Sequence, residues 1–306
     1  MTESAISQSP KKLSEAIESY GLQEYVLQLE VDGLAVVPPE VHGFPRARLD
    51  EMVDILLAEA EKMVGCAFSL DRGPHAKVDF PADAFSLSAF SEETGELSQF
   101  LIQRLASLHR VFRDLAVNPV AVALIRHMVG RKATRFSSHN SFIKWQGDYG
   151  YGSSLGIHAD QMAVPLPWGH AALTANTNWC LTDYSLEGGA FAYVPGSHKF
   201  VARPVQPKAA QMAVPVEAPR GSLIVFHGAT WHGAFPRKIA GMRISVANYY
   251  RHLMITSQED IQGTFDRSLA EDSDNPELFR ELAGFADAFP YNTPNQPVPR
   301  VAARTG

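Results

Sequence analysis

His158 and Asp160 stand two residues apart in the run Gly156-Ile157-His158-Ala159-Asp160. On an extended backbone that spacing points both side chains to the same side, since side chains alternate with period two. One imidazole and one carboxylate can then reach a single ion together. Two protein ligands hold iron loosely, and a third is offered by His232 in Thr230-Trp231-His232-Gly233. Two histidines and one carboxylate on one face leave the other coordination positions open, the arrangement of non-haem iron oxygenases. A closed four-ligand site would suit structural zinc and leave nowhere for oxygen or a cosubstrate. His-x-Asp alone is a weak signal, with a surface-turn His158 and a carbonyl-bonded strand-end His232 as the plain alternatives. Arg243 follows eleven residues after His232, so a turn and a returning strand bring it back beside the metal. Its planar fork suits a carboxylate bound bidentately and stays charged in a partly dry pocket. Ser245, two residues on, faces the same way and adds a hydroxyl donor. The alternative for Arg243 is an ion pair with a surface acid.

The elements that must position these groups are legible as two textures. The first 130 residues read as mostly helical. Leu49, Met52, Val53, Leu56, Leu57, Ala60 and Met63 recur at helical spacing. Glu96 to His109 gives a second amphipathic run, and a third begins at the N-cap pair Asn118-Pro119 and stops at Gly130. Leu34-Ala-Val-Val-Pro reads as a short strand between them. From about Ser137 short apolar runs alternate with turn residues: Ser141 to Trp145, Ala171 to Leu181, Ala190 to Val194, Ser222 to Phe226 and Arg243 to Tyr250. Five such runs predict a β-sandwich or barrel. Helical patterning returns at Pro276 to Phe285, before a proline-rich tail from Pro290 to Pro299. The expectation is an α+β chain forming one cooperative domain over 1–306. Residues 1–136 form a mostly helical flank, 137–252 the β core with the metal site, and 253–306 a C-terminal helix and tail.

Composition narrows the function classes. The chain has 306 residues, 45% hydrophobic and 20% charged, enough to bury a core without staples. A net charge of -6 with no basic run makes nucleic acid and anionic membranes poor partners. A small anionic ligand on one buried arginine is still allowed. Cys66 and Cys180 read as free thiols in a reducing compartment. The polar N-terminus lacks a signal-peptide pattern, and no apolar run approaches the roughly 18 residues of a membrane helix. A cytoplasmic protein with a small-molecule substrate is expected. Oligomeric state is left open, a homo-oligomer included.

Taken together, these stretches resemble the phytanoyl-CoA dioxygenase family of iron(II)/2-oxoglutarate oxygenases. The likeness rests on residues 156–160, Trp-Cys-Leu-Thr-Asp (179–183), Val-Pro-Gly-Ser-His-Lys (194–199) and Gly-Ser-Leu-Ile-Val-Phe-His-Gly-Ala-Thr-Trp-His-Gly (221–233), followed by Arg243. Tyr25 to Pro38 is similar to the family's opening helix and first strand, so the likeness covers roughly residues 25 to 252. The resemblance implies a double-stranded β-helix, a cupin-like jelly-roll barrel whose mouth holds Fe(II) on His158, Asp160 and His232. It implies 2-oxoglutarate chelating the metal, its distal carboxylate on Arg243, with O2 consumed and succinate and carbon dioxide released. By position it places Asn176, Asn140 and Trp179 near the cosubstrate, although turn-capping or solvent-facing roles for the asparagines and barrel packing for Trp179 fit equally. It ranks His227 behind His232 and makes His198 a turn residue. Asp160 separates the chain from related halogenases, which lack that carboxylate. Ala159 departs from the polar residue many relatives carry there.

For the substrate pocket, the candidates are Phe142, Trp145, Met162, Val164, Leu166, Trp168 and Phe235, largely apolar or aromatic. They favour a hydrophobic or aromatic small molecule, the bland alternative being core packing. No basic cluster suits the phosphates of a coenzyme A thioester. Hydroxylation is the expected outcome, and desaturation, epoxidation, cyclisation or endoperoxide formation share the same ligands. A metal-binding jelly roll without oxygenase activity would use the same three ligands without needing Arg243, and a zinc or manganese hydrolase or isomerase on those ligands would be indifferent to 2-oxoglutarate.

Overall fold

The computed structural model describes residues 10–78, 97–147 and 151–287. Glu96 and the tail from Pro290 onward, both singled out in the sequence, lie outside the described residues. The chain opens with helices α1 (Pro10–Ser19) and α2 (Gln23–Asp32), strand β1 (Leu34–Val37), a short α3 (Pro39–His42) and the long α4 (Arg46–Val64). In α4 the predicted stripe is buried through Leu49, Met52, Val53, Leu56 and Ala60, and Gly65 ends the helix at φ 79°, a conformation glycine adopts freely. The hairpin β2 (Phe68–Ser69) and β3 (Gly73–Pro74) leads on to β4 (Gln99–Ile102). Short helices α5 (Leu105–Leu108) and α6 (Arg110–Ala116) precede α7 (Pro119–Val129). Asn118 caps α7 as expected, its side chain accepting from Ala121 N. Val120 through Arg126 are all buried, because α7 lies between the back of the sheet and the outer helices.

One expectation is corrected here. Glu96 to His109 is not a helix, since Gln99–Ile102 is a strand and only Leu105–Leu108 is helical among the described residues. Phe100 and Ile102 are buried while Leu101 is less so, so the apolar run satisfies period two as well as 3.6. Antiparallel pairing with the next strand settles it.

The core strands are β5 (Thr134–Trp145), β6 (Thr174–Cys180), β7 (Phe191–Tyr193), β8 (Val214–Val216), β9 (Leu223–His227), β10 (His232–Ala234) and β11 (Met242–His252), with helix α8 (Lys208–Met212) before β8. The major sheet has six strands in the order β1-β9-β6-β11-β5-β4, and the minor sheet is β10-β7-β8. All the pairings are antiparallel. The five expected strand runs are β5, β6, β7, β9 and β11. Helices α9 (Ile261–Thr264) and α10 (Pro276–Leu282) close the described chain.

Alternation gives the major sheet two unlike faces. On the back, Ile143, Trp179, Val225, Ile244, Val246 and Tyr250 join the helices in the main core. On the front, Leu34, Cys180, Ile224 and Phe226 pack against Phe191, Val216 and Tyr184 from the minor-sheet side. The two sheets thus face each other over a second, smaller core, and the space left between them holds the candidate site. This is the expected jelly-roll architecture with its helical shell.

Candidate active site

His158 and His232 meet because their backbones bridge: His158 N donates to His232 O and His232 N to His158 O, both at 2.8 Å. The bridge needs a close approach. A Cβ on Gly233 would lie 2.2 Å from the Leu155 carbonyl oxygen, so only glycine fits beside His232. Gly233→Ala is expected to push the bridge apart, lowering stability by about 1–3 kcal/mol and weakening metal uptake. Thermal melts and metal titration of the variant check this.

Each histidine is oriented by its own backbone. His158 Nδ1 lies 2.8 Å from Gly156 O and His232 Nδ1 lies 2.9 Å from Thr230 O. A carbonyl can only accept, so Nδ1 carries the proton in both rings and Nε2 presents its lone pair. Both Nε2 atoms face one oxygen of Asp160, at 3.6 Å from His158 and 3.7 Å from His232. These separations exceed a hydrogen bond. Burial, reinforced by the neighbouring His158, lowers the His232 pKa to about 4. Burial would raise the Asp160 pKa, but His232, His158 and Asn176 outweigh it and hold the carboxyl below its usual range. In its neutral form each ring therefore turns an Nε2 lone pair toward the carboxylate, and although burial would lower the His158 pKa, Asp160 and the Gly156 carbonyl outweigh it and raise it. Ligands of an ion at roughly 2.1 Å sit about 3 Å apart when adjacent, so a modest contraction accommodates one. The three residues form a cluster whose ligand atoms all lie within 4.8 Å of one another. The donor set fits Fe(II) with open positions.

Asp160 is held from behind as well. Tyr249 donates its hydroxyl to Asp160 O at 3.3 Å, and Gln161 N donates to Gly228 O at 2.8 Å. Asn176, on the front face of β6, donates from Nδ2 to Asp160 Oδ2 at 3.2 Å.

A cavity of about 370 Å³ runs from this triad to Arg243, which is 3% exposed. Arg243 donates to Gly189 O at 2.8 Å, and its guanidinium lies 4.9 Å from the centre of the Tyr184 ring. Tyr184 in turn donates to Asn178 Oδ1 at 3.1 Å. Ser245 is fully buried on the same face of β11. Lys144 stands directly across from Arg243 in the β5–β11 ladder, its amine donating to Phe235 O at 2.9 Å. Burial, then Arg243 and Arg237, push that amine far below its ordinary range. The walls between are mostly apolar, including Phe142, Leu155, Phe191 and Phe226, with Tyr151 where the cavity meets the surface.

The structure thus brings His158, Asp160, His232, Arg243, Asn176 and Phe142 together around one cavity. Other sequence candidates sit elsewhere. Trp179 projects from the back of β6, edge-on to His42 at 4.8 Å and near Phe44 at 5.7 Å, because it alternates with Asn176, Asn178 and Cys180. It does not line the cavity. Trp145 likewise points back, against Phe68 and Phe100. Asn140 is on the front face but bonds Ser138 Oγ at 3.2 Å and does not line the cavity. Met162 and Leu166 are exposed, at 37% and 51%. Trp168, with Val164 and Phe235 beside it, belongs to a small separate core around Trp231. Sequence reasoning missed Gln99, Asn178, Phe191 and Phe226 as lining residues, and Tyr184 behind Arg243. Period two from Asn176 would have found Asn178; the others needed the sheet-on-sheet packing.

Comparison with known proteins follows the same lines. A family model described as phytanoyl-CoA dioxygenase (PhyH) matches residues 46–245. A relative named dioxygenase af480, from Aspergillus fumigatus, is 35% identical over 130 residues, 42% of this chain. The chain spans 40% of that relative's own length. Among solved structures, the α-ketoglutarate-dependent epimerase SnoN from nogalamycin biosynthesis is similar with a TM-score of 0.53 at 20% identity, covering 76% of this chain and 84% of the other. HygX from Streptomyces hygroscopicus, solved with nickel and 2-oxoglutarate, gives 0.52 at 16% identity, covering 77% and 88%. At these identities the two structures share a fold with this chain.

Proposed function

The chain belongs to the phytanoyl-CoA dioxygenase family, and from that premise we propose that it is an Fe(II)/2-oxoglutarate-dependent dioxygenase that hydroxylates a C–H bond of an uncharged, hydrophobic or aromatic small molecule. The observation that carries this reading is the meeting, in one cavity, of a three-ligand metal cluster and a buried arginine. A pure metal binder has no need of that arginine. In the balanced reaction, substrate, 2-oxoglutarate and O2 give the alcohol, succinate and carbon dioxide.

When bound, the iron supplies a centre at which oxidative decarboxylation of the cosubstrate is coupled to attack on the substrate C–H bond. His158, Asp160 and His232 hold that ion. Arg243 fixes the far carboxylate of the cosubstrate by a charge-assisted fork, with Tyr184 under the guanidinium as a flat support. Phe142, Leu155, Phe191 and Phe226 keep the space dry and hold an apolar substrate in reach. Arg243 is the cationic residue lining the cavity among the described residues, and it is committed to the cosubstrate. That supports an uncharged substrate over one carrying phosphates.

The test is anaerobic titration of apo-protein with Fe(II) and then 2-oxoglutarate. The expected result is the weak visible charge-transfer band of the chelate, followed by succinate release and a product with one added oxygen in a screen of apolar compounds. Iron binding without a band on adding 2-oxoglutarate overturns the oxygenase reading. A product isomeric with its substrate would keep the class and replace hydroxylation.

A further inference from the structure

Asp160 uses its two carboxylate oxygens for different tasks. Oδ1 faces both histidine Nε2 atoms, and Oδ2 accepts from Asn176 Nδ2 at 3.2 Å. We infer that Asn176 is a positioning residue that makes Asp160 a one-oxygen ligand, and so keeps a coordination position open that a two-oxygen carboxylate would fill. The inference rests on the oxygenase reading and deepens it.

The count of positions gives the inference its weight. Six-coordinate iron with two imidazoles and one carboxylate oxygen has three positions left. A chelating 2-oxoglutarate takes two, and one remains for oxygen. A carboxylate swung to bind through both oxygens would leave two, enough for the chelate and none for oxygen. A free carboxylate has no built-in preference between the two modes. A donor aimed at one oxygen supplies that preference, because turning the group breaks a charge-assisted hydrogen bond.

Asn176 is well placed to hold this line. It lies in the middle of the sheet on β6, paired across to Tyr249 on β11 and Phe226 on β9. Its neighbour Tyr249 bonds the Asp160 backbone carbonyl, and Gln161, fully buried, ties the following turn to Gly228 and Leu173. Backbone and side chain of Asp160 are thus both referenced to the front of the major sheet. Asn176 Oδ1 is buried with no hydrogen-bond partner among the described residues, so the amide is not anchored by a competing contact. Its donor is committed to Asp160.

The experiment compares wild type with Asn176→Leu and Asn176→Ala by anaerobic calorimetry with Fe(II), then with 2-oxoglutarate on the metal-loaded proteins, using His158→Ala as the control without a complete site. Removing an outer partner of a metal ligand is expected to weaken metal binding by roughly 10–100-fold. The chelate band on adding 2-oxoglutarate should also shift, a spectroscopic change that a merely structural role would not produce. Both variants should behave alike, with apo melting temperatures close to wild type. Unchanged iron affinity and an unchanged band in both variants overturn the inference. So does a loss seen with leucine alone, which would make the effect one of bulk. If wild type itself takes up no more iron than His158→Ala, the oxygenase reading falls and the inference with it, an outcome distinct from equal binding by wild type and variants.

Discussion

Asp160→Ala protein is expected to fold normally and to lose iron-dependent turnover altogether. The substitution removes the single anion among the three ligands. Two neutral imidazoles remain, which hold a divalent ion only weakly. The loss of metal affinity should exceed the ~10–100-fold that follows from losing an outer partner. Stability should change little, because the carboxylate is a costly group to bury and its removal leaves only Asn176 Nδ2 to be resatisfied. A shift in apo melting temperature of no more than about 4 °C corresponds to roughly 1 kcal/mol in a domain of this size. Metal titration and melting of the same sample separate the two effects. Full activity in this variant would remove Asp160 from the ligand set. His158→Ala should follow the same pattern, since its ring is half exposed and its loss opens no core cavity.

Arg243→Ala is expected to spare the metal and cripple cosubstrate binding. The guanidinium is buried and its partner carboxylate would be buried with it. Removing one member of such a pair leaves the other charge without compensation, at a cost of about 3–5 kcal/mol. That is a rise of roughly two to four orders of magnitude in the Kd for 2-oxoglutarate. Iron affinity, measured without cosubstrate, should stay near wild type, because Arg243 lies at the far end of the cavity from the triad. Arg243→Lys should fall between, keeping the charge and losing the fork. Equal 2-oxoglutarate affinity in wild type and Arg243→Ala would mean that the carboxylate is held elsewhere in the cavity.

What could be read before the structure was the chemistry that demands particular residue types. His158, Asp160, His232 and Arg243 stand out because few other side chains can bind iron or a carboxylate, and because period two and a returning strand relate their positions. The front of β6 is half legible: Asn176 lines the cavity, while Trp179, for which the resemblance and barrel packing weigh equally, lies on the opposite face in the core. A one-residue difference in parity decides between cavity and core, and an aromatic residue suits both. The substrate wall was the least legible part. Of the apolar and aromatic candidates, Phe142 lines the cavity, whereas Trp168 turns away into a core with Trp231. The walls are Phe191 and Phe226, far apart in sequence and 5.0 Å apart between ring centres. Their meeting depends on how the minor sheet lies over the major one, which no local pattern encodes. The run before His109 failed for a related reason, as its spacing served a strand as well as a helix.

The ligands and their supports are divided between the two sheets. His232 sits on the minor sheet, Asn176 and Arg243 on the major one, and His158 and Asp160 on the connection that bridges to His232. An ion at the triad, with a chelator reaching from it to Arg243, therefore ties one sheet to the other across the cavity. Anything that binds the folded chain alone adds its binding free energy to folding. On the proposed reading, the same atoms that prepare the chemistry would act as a removable staple. Metal-free chains are therefore expected to open more readily to proteases than metal-loaded ones, a difference that limited proteolysis with and without Fe(II) would read.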